Sequence, residues 1–153
     1  MLTSEQLKEH ILSIYPDAEF EEGSQFLTVV VPSAELHKIA EQLKNDEKSQ
    51  FDFLFCESGV DYPEYLMVVY HLKSTALGHS MVLKAKIDDR ENPRIATVYD
   101  LWKTADFHER EIFDLFGIVF ENHPDLRRIF LDDDWVGYPL RKDYVDEINI
   151  IEL

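Results

Sequence analysis

The chain has 153 residues, 45% of them hydrophobic and 12% aromatic, with 31 acidic side chains against 15 basic and a formal net charge of −16. That length fits one domain, and the apolar content is enough for a core and unlike that of a disordered chain. The acidic balance argues against non-specific nucleic-acid binding and against docking on anionic lipid, while a single cysteine, Cys56, excludes an internal disulfide and any four-cysteine metal or iron–sulfur site within the chain.

No apolar run approaches the roughly 18–20 residues that a membrane span needs. Residues 1–6 lack the basic-then-apolar layout of a signal peptide, so a soluble, intracellular domain is expected. The charge is uneven: residues 1–64 hold fourteen acidic and four basic side chains, whereas residues 121–153 hold nine and four. An acidic first half reads either as a solvated face or as a surface shaped to meet a basic neighbour.

Residues 3–14 read as a helix. Thr3 or Ser4 caps its start, Leu7, Ile11 and Ile14 recur at helical spacing, and Pro16 stops it. Residues 25–31 form a strand ended by Pro32. Ser33 then has the character of an N-cap for a second helix with Leu36, Ile39, Ala40 and Leu43 on one side. Three more strands are expected. In the first, Phe51, Phe53 and Phe55 alternate with Asp52, Leu54 and Cys56. The second, 65–72, is nearly continuous in β-branched and aromatic residues. In the third, Met81, Leu83, Ala85 and Ile87 make an apolar face opposite Val82, Lys84 and Lys86. The sum is an α+β domain, an antiparallel sheet with helices packed on one face.

From Thr97 the pattern turns helical again. Thr97 and Asp100 resemble a capping box, Thr104 offers a second cap, and Gly117 supplies a C-cap. On a helical wheel for 105–116, Ala105, His108, Ile112, Leu115 and Phe116 fall within about 60° of a common direction, which is core-facing. Arg110 and Asp114 lie nearly opposite, spaced to pair with each other. Glu109 is about 60° from the centre of the stripe, beside Phe113. It either snorkels outward or is held by a buried arginine from elsewhere in the chain or from a partner, because an unpaired buried charge would be prohibitively costly.

After a short apolar 118–120 comes a stretch with little periodicity. The chain therefore divides into an α+β core, 1–120, and an extended C-terminal docking tail, 121–153, within a single domain overall. In the tail, Arg127, Arg128 and Arg141 can pin the loop to the helix or to another protein. Its apolar load, from Leu126 through Ile129, Phe130, Trp135 and Tyr138 to Leu140, has the composition of a protein–protein interface. Such a tail is expected to lack full shelter until partners cover it.

Three ordered motifs make the stretch recognisable: Glu109-Arg110-Glu111-Ile112-Phe113-Asp114-Leu115-Phe116-Gly117-Ile118; His123-Pro124-Asp125-Leu126-Arg127-Arg128-Ile129; and Gly137-Tyr138-Pro139-Leu140-Arg141-Lys142-Asp143-Tyr144. They closely resemble the C subunit of proton-pumping NADH–quinone oxidoreductase, respiratory complex I. That family also includes the J subunit of the chloroplast NDH complex and a module of membrane-bound nickel–iron hydrogenases. The specific match runs over residues 65 to 144, and 1–64 agrees only in its helix–strand–helix layout.

The resemblance implies a peripheral-arm subunit without a redox centre, packed against the D subunit and near the B and I subunits in a hetero-oligomer, on the cytoplasmic face of the inner membrane. Iron–sulfur clusters, NADH and quinone would belong to partner subunits or to the whole complex. It also implies interface or scaffold roles for Glu109, Arg110, Glu111, Asp114, Gly117, His123, Pro124, Asp125, Arg127, Arg128, Arg141, Lys142, Asp143 and Tyr144, with no catalytic, cofactor-binding or metal-ligating residue in this chain. Two other readings are an equivalent subunit of a ferredoxin-linked or hydrogenase-type complex, and a free-standing acidic adaptor for a basic protein.

Chemistry by the chain alone finds little support. His108, His123 and Asp125 match no recognised ligand spacing. Asp132, Asp133 and Asp134 lack an EF-hand loop, and Cys56 has no histidine close in sequence. There is no G-x-G-x-x-G and no P-loop, so neither nicotinamide nor nucleotide binding is expected.

Overall fold

The structure, a computed structural model, describes residues 1–146. Residues 147–153 of the expected tail lie outside them.

The first helix, α1 (Ser4–Ile14), starts in a capping box. Thr3 accepts from the Gln6 N–H, and the Gln6 side chain accepts from the Thr3 N–H. Its Leu7 and Ile11 are buried. Strand β1 (Glu19–Glu21) hairpins onto β2 (Leu27–Pro32). Ser33 is not a cap but opens a 3-10 turn, Ser33–Glu35, and α2 (Leu36–Asn45) begins after it with no side-chain cap. The apolar stripe of α2, Leu36, Ile39, Ala40 and Leu43, is buried as its spacing requires.

Strands β3 (Phe53–Asp61), β4 (Leu66–Lys73) and β5 (Ser80–Ile87) complete a five-stranded sheet of order β1-β2-β5-β4-β3. Three pairings are antiparallel as expected, and β2 against β5 is parallel. The reason is topological. After β2 the chain returns along α2, lays β3 at the far edge, and folds back through two hairpins, so β5 arrives beside β2 running the same way. Alternation along one strand carries no record of which strand lies next to it.

The phase of β3 is also corrected. Leu54 is buried, whereas Phe53 and Phe55 are 42% and 40% exposed, and Phe51 is buried but precedes the strand. Leu54 pairs with Leu72 and Cys56 with His71, so Phe55 is skipped in a β-bulge. The extra residue inverts the alternation and turns Glu57, Gly59 and Asp61 toward the helices.

The helices cover one face of the sheet, where Leu7, Leu36, Leu54, Tyr70, Leu83 and Ile112 share one core. A smaller cluster of Met67, Val69 and Val82 lies on the other face. Of the two starts the sequence offers for the next helix, Thr97 and Thr104, the helix takes the second. Short β6 (Arg94–Ala96) and a turn around residues 98–102 precede α3 (Ala105–Phe116), and β7 (Val119–Glu121) pairs in parallel with β6. Helix α3 lies close on β3 because Gly59 has no side chain; a Cβ there would sit 2.8 Å from the Phe116 ring.

Candidate functional site

Helix α3 and the chain after it form the site. Thr104 precedes the helix, but its hydroxyl donates to the Leu54 carbonyl at 2.9 Å instead of capping. The helix ends at Gly117, left-handed at φ 73°, whose N–H donates to the Phe113 carbonyl at 2.9 Å. A Cβ on Gly117 would lie 2.5 Å from the Tyr138 ring, so the tail packs directly on the turn.

Glu109 is fully buried, so it does not snorkel, and among the described residues no arginine of this chain holds it. The Val98 N–H donates to Oε1 at 2.8 Å and the Thr97 hydroxyl donates to Oε2. Thr97 is therefore a ligand of the helix rather than its cap. Burial, with Asp100 and Asp106 nearby, pushes the Glu109 carboxyl up to about 7 against the two hydrogen bonds.

Arg110 and Asp114 are not a solvent-facing pair. Both are buried, and each holds the tail. The Arg110 Nε donates to the Arg127 carbonyl at 3.2 Å and Nη2 to that of Arg128 at 3.3 Å. Asp114 Oδ2 accepts from the N–H groups of Ile129, Phe130 and Leu131 at 3.2, 2.8 and 3.0 Å, and Oδ1 accepts from Arg128 at 3.0 Å. Burial alone would raise the Asp114 carboxyl; these amides and Arg128 outweigh it and hold the group below the usual aspartate range. Arg128 also donates to the carbonyls of Trp135 and Gly137 at 3.1 and 3.2 Å, which fixes the next turn.

Farther along, Arg141 donates to the Phe116 carbonyl at 2.6 Å and to that of Arg90 at 3.0 Å. The Leu140 N–H reaches the Leu115 carbonyl at 3.0 Å, and the Lys142 N–H reaches Asp61 Oδ2 at 2.8 Å. Asp61, turned inward by the bulge, is paired with Arg90. Sequence reasoning missed both, because nothing in their spacing couples a strand end to a turn and to a tail so distant in sequence.

His123 accepts from the Asp125 N–H at Nδ1, 3.0 Å, and donates from Nε2 to the Asp106 carbonyl at 3.1 Å. Its role is to close the turn containing Pro124. Among the described residues Arg127 pairs with Asp125, 2.9 Å away and largely exposed. Tyr144 packs over Gly137, whose Cβ would meet its ring at 2.9 Å. Glu111, Lys142 and Asp143 are exposed at the surface.

Backbone groups at 127–131, 135, 137, 140 and 142 are thus bonded to side chains or backbone within the chain, although none of residues 127–142 is fully buried. The tail's apolar side chains are another matter: Phe130, Val136, Leu140 and Val145 are 66%, 87%, 53% and 72% exposed. The arrangement spends its carboxylates and guanidiniums on anchoring and turns hydrophobic side chains outward.

Residues 29–148 match the family described as the respiratory-chain NADH dehydrogenase 30-kDa subunit. The C subunit of NADH-quinone oxidoreductase from Moorella thermoacetica is 42% identical over 133 residues, covering 86% of this chain and 88% of that protein. The combined C/D subunit from Bacteroides thetaiotaomicron is 48% identical over 130 residues; the match covers 78% of this chain but only 24% of that longer protein. Among solved structures, a chain of an archaeal respiratory membrane complex, the membrane-bound sulfane sulfur reductase, superposes with a TM-score of 0.78 at 29% identity, covering 94% of this chain and 86% of that one.

Proposed function

The chain belongs to the family of the respiratory-chain NADH dehydrogenase 30-kDa subunit, and from that premise we propose that it is the C subunit of a proton-translocating NADH–quinone oxidoreductase. In this reading it is a non-redox scaffold of the quinone-reducing module. The core, 1–120, carries the tail, 121–153, and the tail docks on the D subunit with the B and I subunits nearby. The complex holds it at the cytoplasmic side of the inner membrane as a peripheral member; no helix among the described residues is long and apolar enough to cross a membrane. Clusters, NADH and quinone would sit in its partners, and the isolated chain would be inactive.

One observation carries the reading. The motifs that mark the family supply the residues by which α3 pins the tail from within, and the tail they fasten presents Leu140 inside a motif and Phe130, Val136 and Val145 beside the motifs outward. Side chains of this kind on a rigid frame are what a protein partner buries. The C/D protein of Bacteroides thetaiotaomicron supports D as that partner, since its name joins the two in one polypeptide. Mass spectrometry of the assembly recovered through a tag on this chain tests the proposal. Recovery with the D, B and I subunits of an NADH-quinone oxidoreductase supports it, and recovery as a lone chain contradicts it.

The likeness to a chain of the membrane-bound sulfane sulfur reductase, a respiratory membrane complex, supports a second reading, an equivalent subunit of a ferredoxin-linked or hydrogenase-type complex. The same recovery separates the two by the electron-input subunits it contains.

A further inference from the structure

The β3 bulge has a chemical result. It turns Glu57 into the interface between the sheet and α3, where the side chain is 4% exposed and neither carboxyl oxygen has a hydrogen-bond partner. Directly across the ladder stands Tyr70, 1% exposed, whose hydroxyl also lacks a partner. From α3 comes the fully buried Glu109. The three belong together electrostatically: Glu109 disfavours ionisation of Glu57, and both glutamates disfavour that of Tyr70.

No lysine or arginine pairs with either glutamate among the described residues. The other charged or titratable groups facing them are Cys56 on β3, Asp100 before α3, Asp106 within it, and His123 after β7. His123 Nε2 is 3.8 Å from Glu109 and gives its proton to the Asp106 carbonyl. Two carboxylates ionised in such a place would each carry an uncompensated burial cost and would repel each other.

We propose that Glu57, Glu109 and the Tyr70 hydroxyl form a proton-binding site between β3 and α3, occupied at neutral pH, whose emptying loosens α3 from the sheet. The ligand is the proton, exchanged with water. The exit runs past Thr97, which donates to Glu109 and also lines an open cleft of about 520 Å³ beside His37 and Asp100. Nothing in this site touches the tail's outward side chains, so the inference stands apart from the choice of partner.

The test uses the full chain with carbon-13 in its glutamate carboxyls. At about pH 6, well above the ordinary glutamate range, the resonances of the buried glutamates should remain those of the protonated acid, and Glu57→Gln should remove one of them. On raising the pH to about 8.5, amide exchange in α3 should accelerate at least ~10-fold more than in α1, the equivalent of one pKa unit. Glu57→Gln should abolish that excess. If Glu57→Gln fails to fold, Glu109→Gln and the wild-type titration carry the same test. Complete ionisation of every glutamate at about pH 6 in the folded chain, or equal acceleration in both helices, overturns the proposal.

Discussion

Asp114 anchors the tail through four hydrogen bonds. It meets three consecutive amides and a guanidinium while fully buried. Replacing it by Ala would leave Arg128 and those amides without their acceptor, and removing one partner of a buried charged pair costs about 3–5 kcal/mol. Asp114→Ala should therefore lower stability by that order in denaturant titration and speed proteolysis within 121–146. Arg127→Ala is its counterpart. Its pair with Asp125 is exposed, so stability should change by less than ~1 kcal/mol. The amount of assembled enzyme should fall instead, if Arg127 faces a partner; normal amounts of a slow enzyme would point to a role in transfer chemistry. The sequence showed Arg110 and Asp114 at helical pairing distance, nearly opposite the apolar stripe. A helical wheel reveals which face is apolar, but a polar face that later chain covers looks the same as one that meets water. Glu109 was legible as a misplaced charge. Its partners, a threonine hydroxyl and a backbone amide, carry no signal at a distance of eleven or twelve residues.

At the scale of elements, α3 depends on two close approaches. Gly117 combines a positive φ with the Tyr138 ring against it. Gly117→Ala should cost about 1–2 kcal/mol for the backbone alone, and more where the ring must move. Loss of the Tyr138 contact should be visible as a change in tyrosine fluorescence or in its ring resonances, and an unchanged tail would contradict the role given to this turn. Several elements could be read directly. The Thr3–Gln6 box, the α2 stripe and the alternation of β5 each follow from a local pattern that tertiary structure did not disturb. The failures share a cause. One skipped residue at Phe55 inverted β3, and one threonine at 97 that resembled a cap was drawn to Glu109, so the helix took the later of its two starts. The parallel β2–β5 pairing is a property of chain path, which no window of sequence contains.

For the whole molecule, two sets of buried carboxyls oppose each other as pH changes. Asp61 and Asp114 are held below the usual aspartate range by their hydrogen bonds and arginines, despite burial. Their stabilisation is complete above about pH 4, the unfolded value, and is lost as pH falls through the folded values. Glu57 and Glu109 are pushed up by burial, Glu109 to about 7. Their contribution is complete below about pH 4.5 and is lost as pH rises through the folded values. For Glu109 that loss is on the order of 3 kcal/mol by the upper end of its titration. Self-repulsion at a net charge of −16 adds to the alkaline side. Stability should therefore peak on the acid side of neutrality, measured as the urea midpoint against pH. A midpoint that climbs steadily from about pH 5 to 8 would contradict this account.

The claim on which the rest depends is that the tail is fastened from inside and offers its apolar side chains to a sister protein. Covalent side-chain footprinting of the free chain and of the assembled complex measures this directly. The account predicts that Phe130, Val136, Leu140 and Val145 react freely in the isolated chain and become protected on assembly, while the amides bound to Asp114 are already slow to exchange in both. Equal labelling of those four side chains in the two states would contradict it.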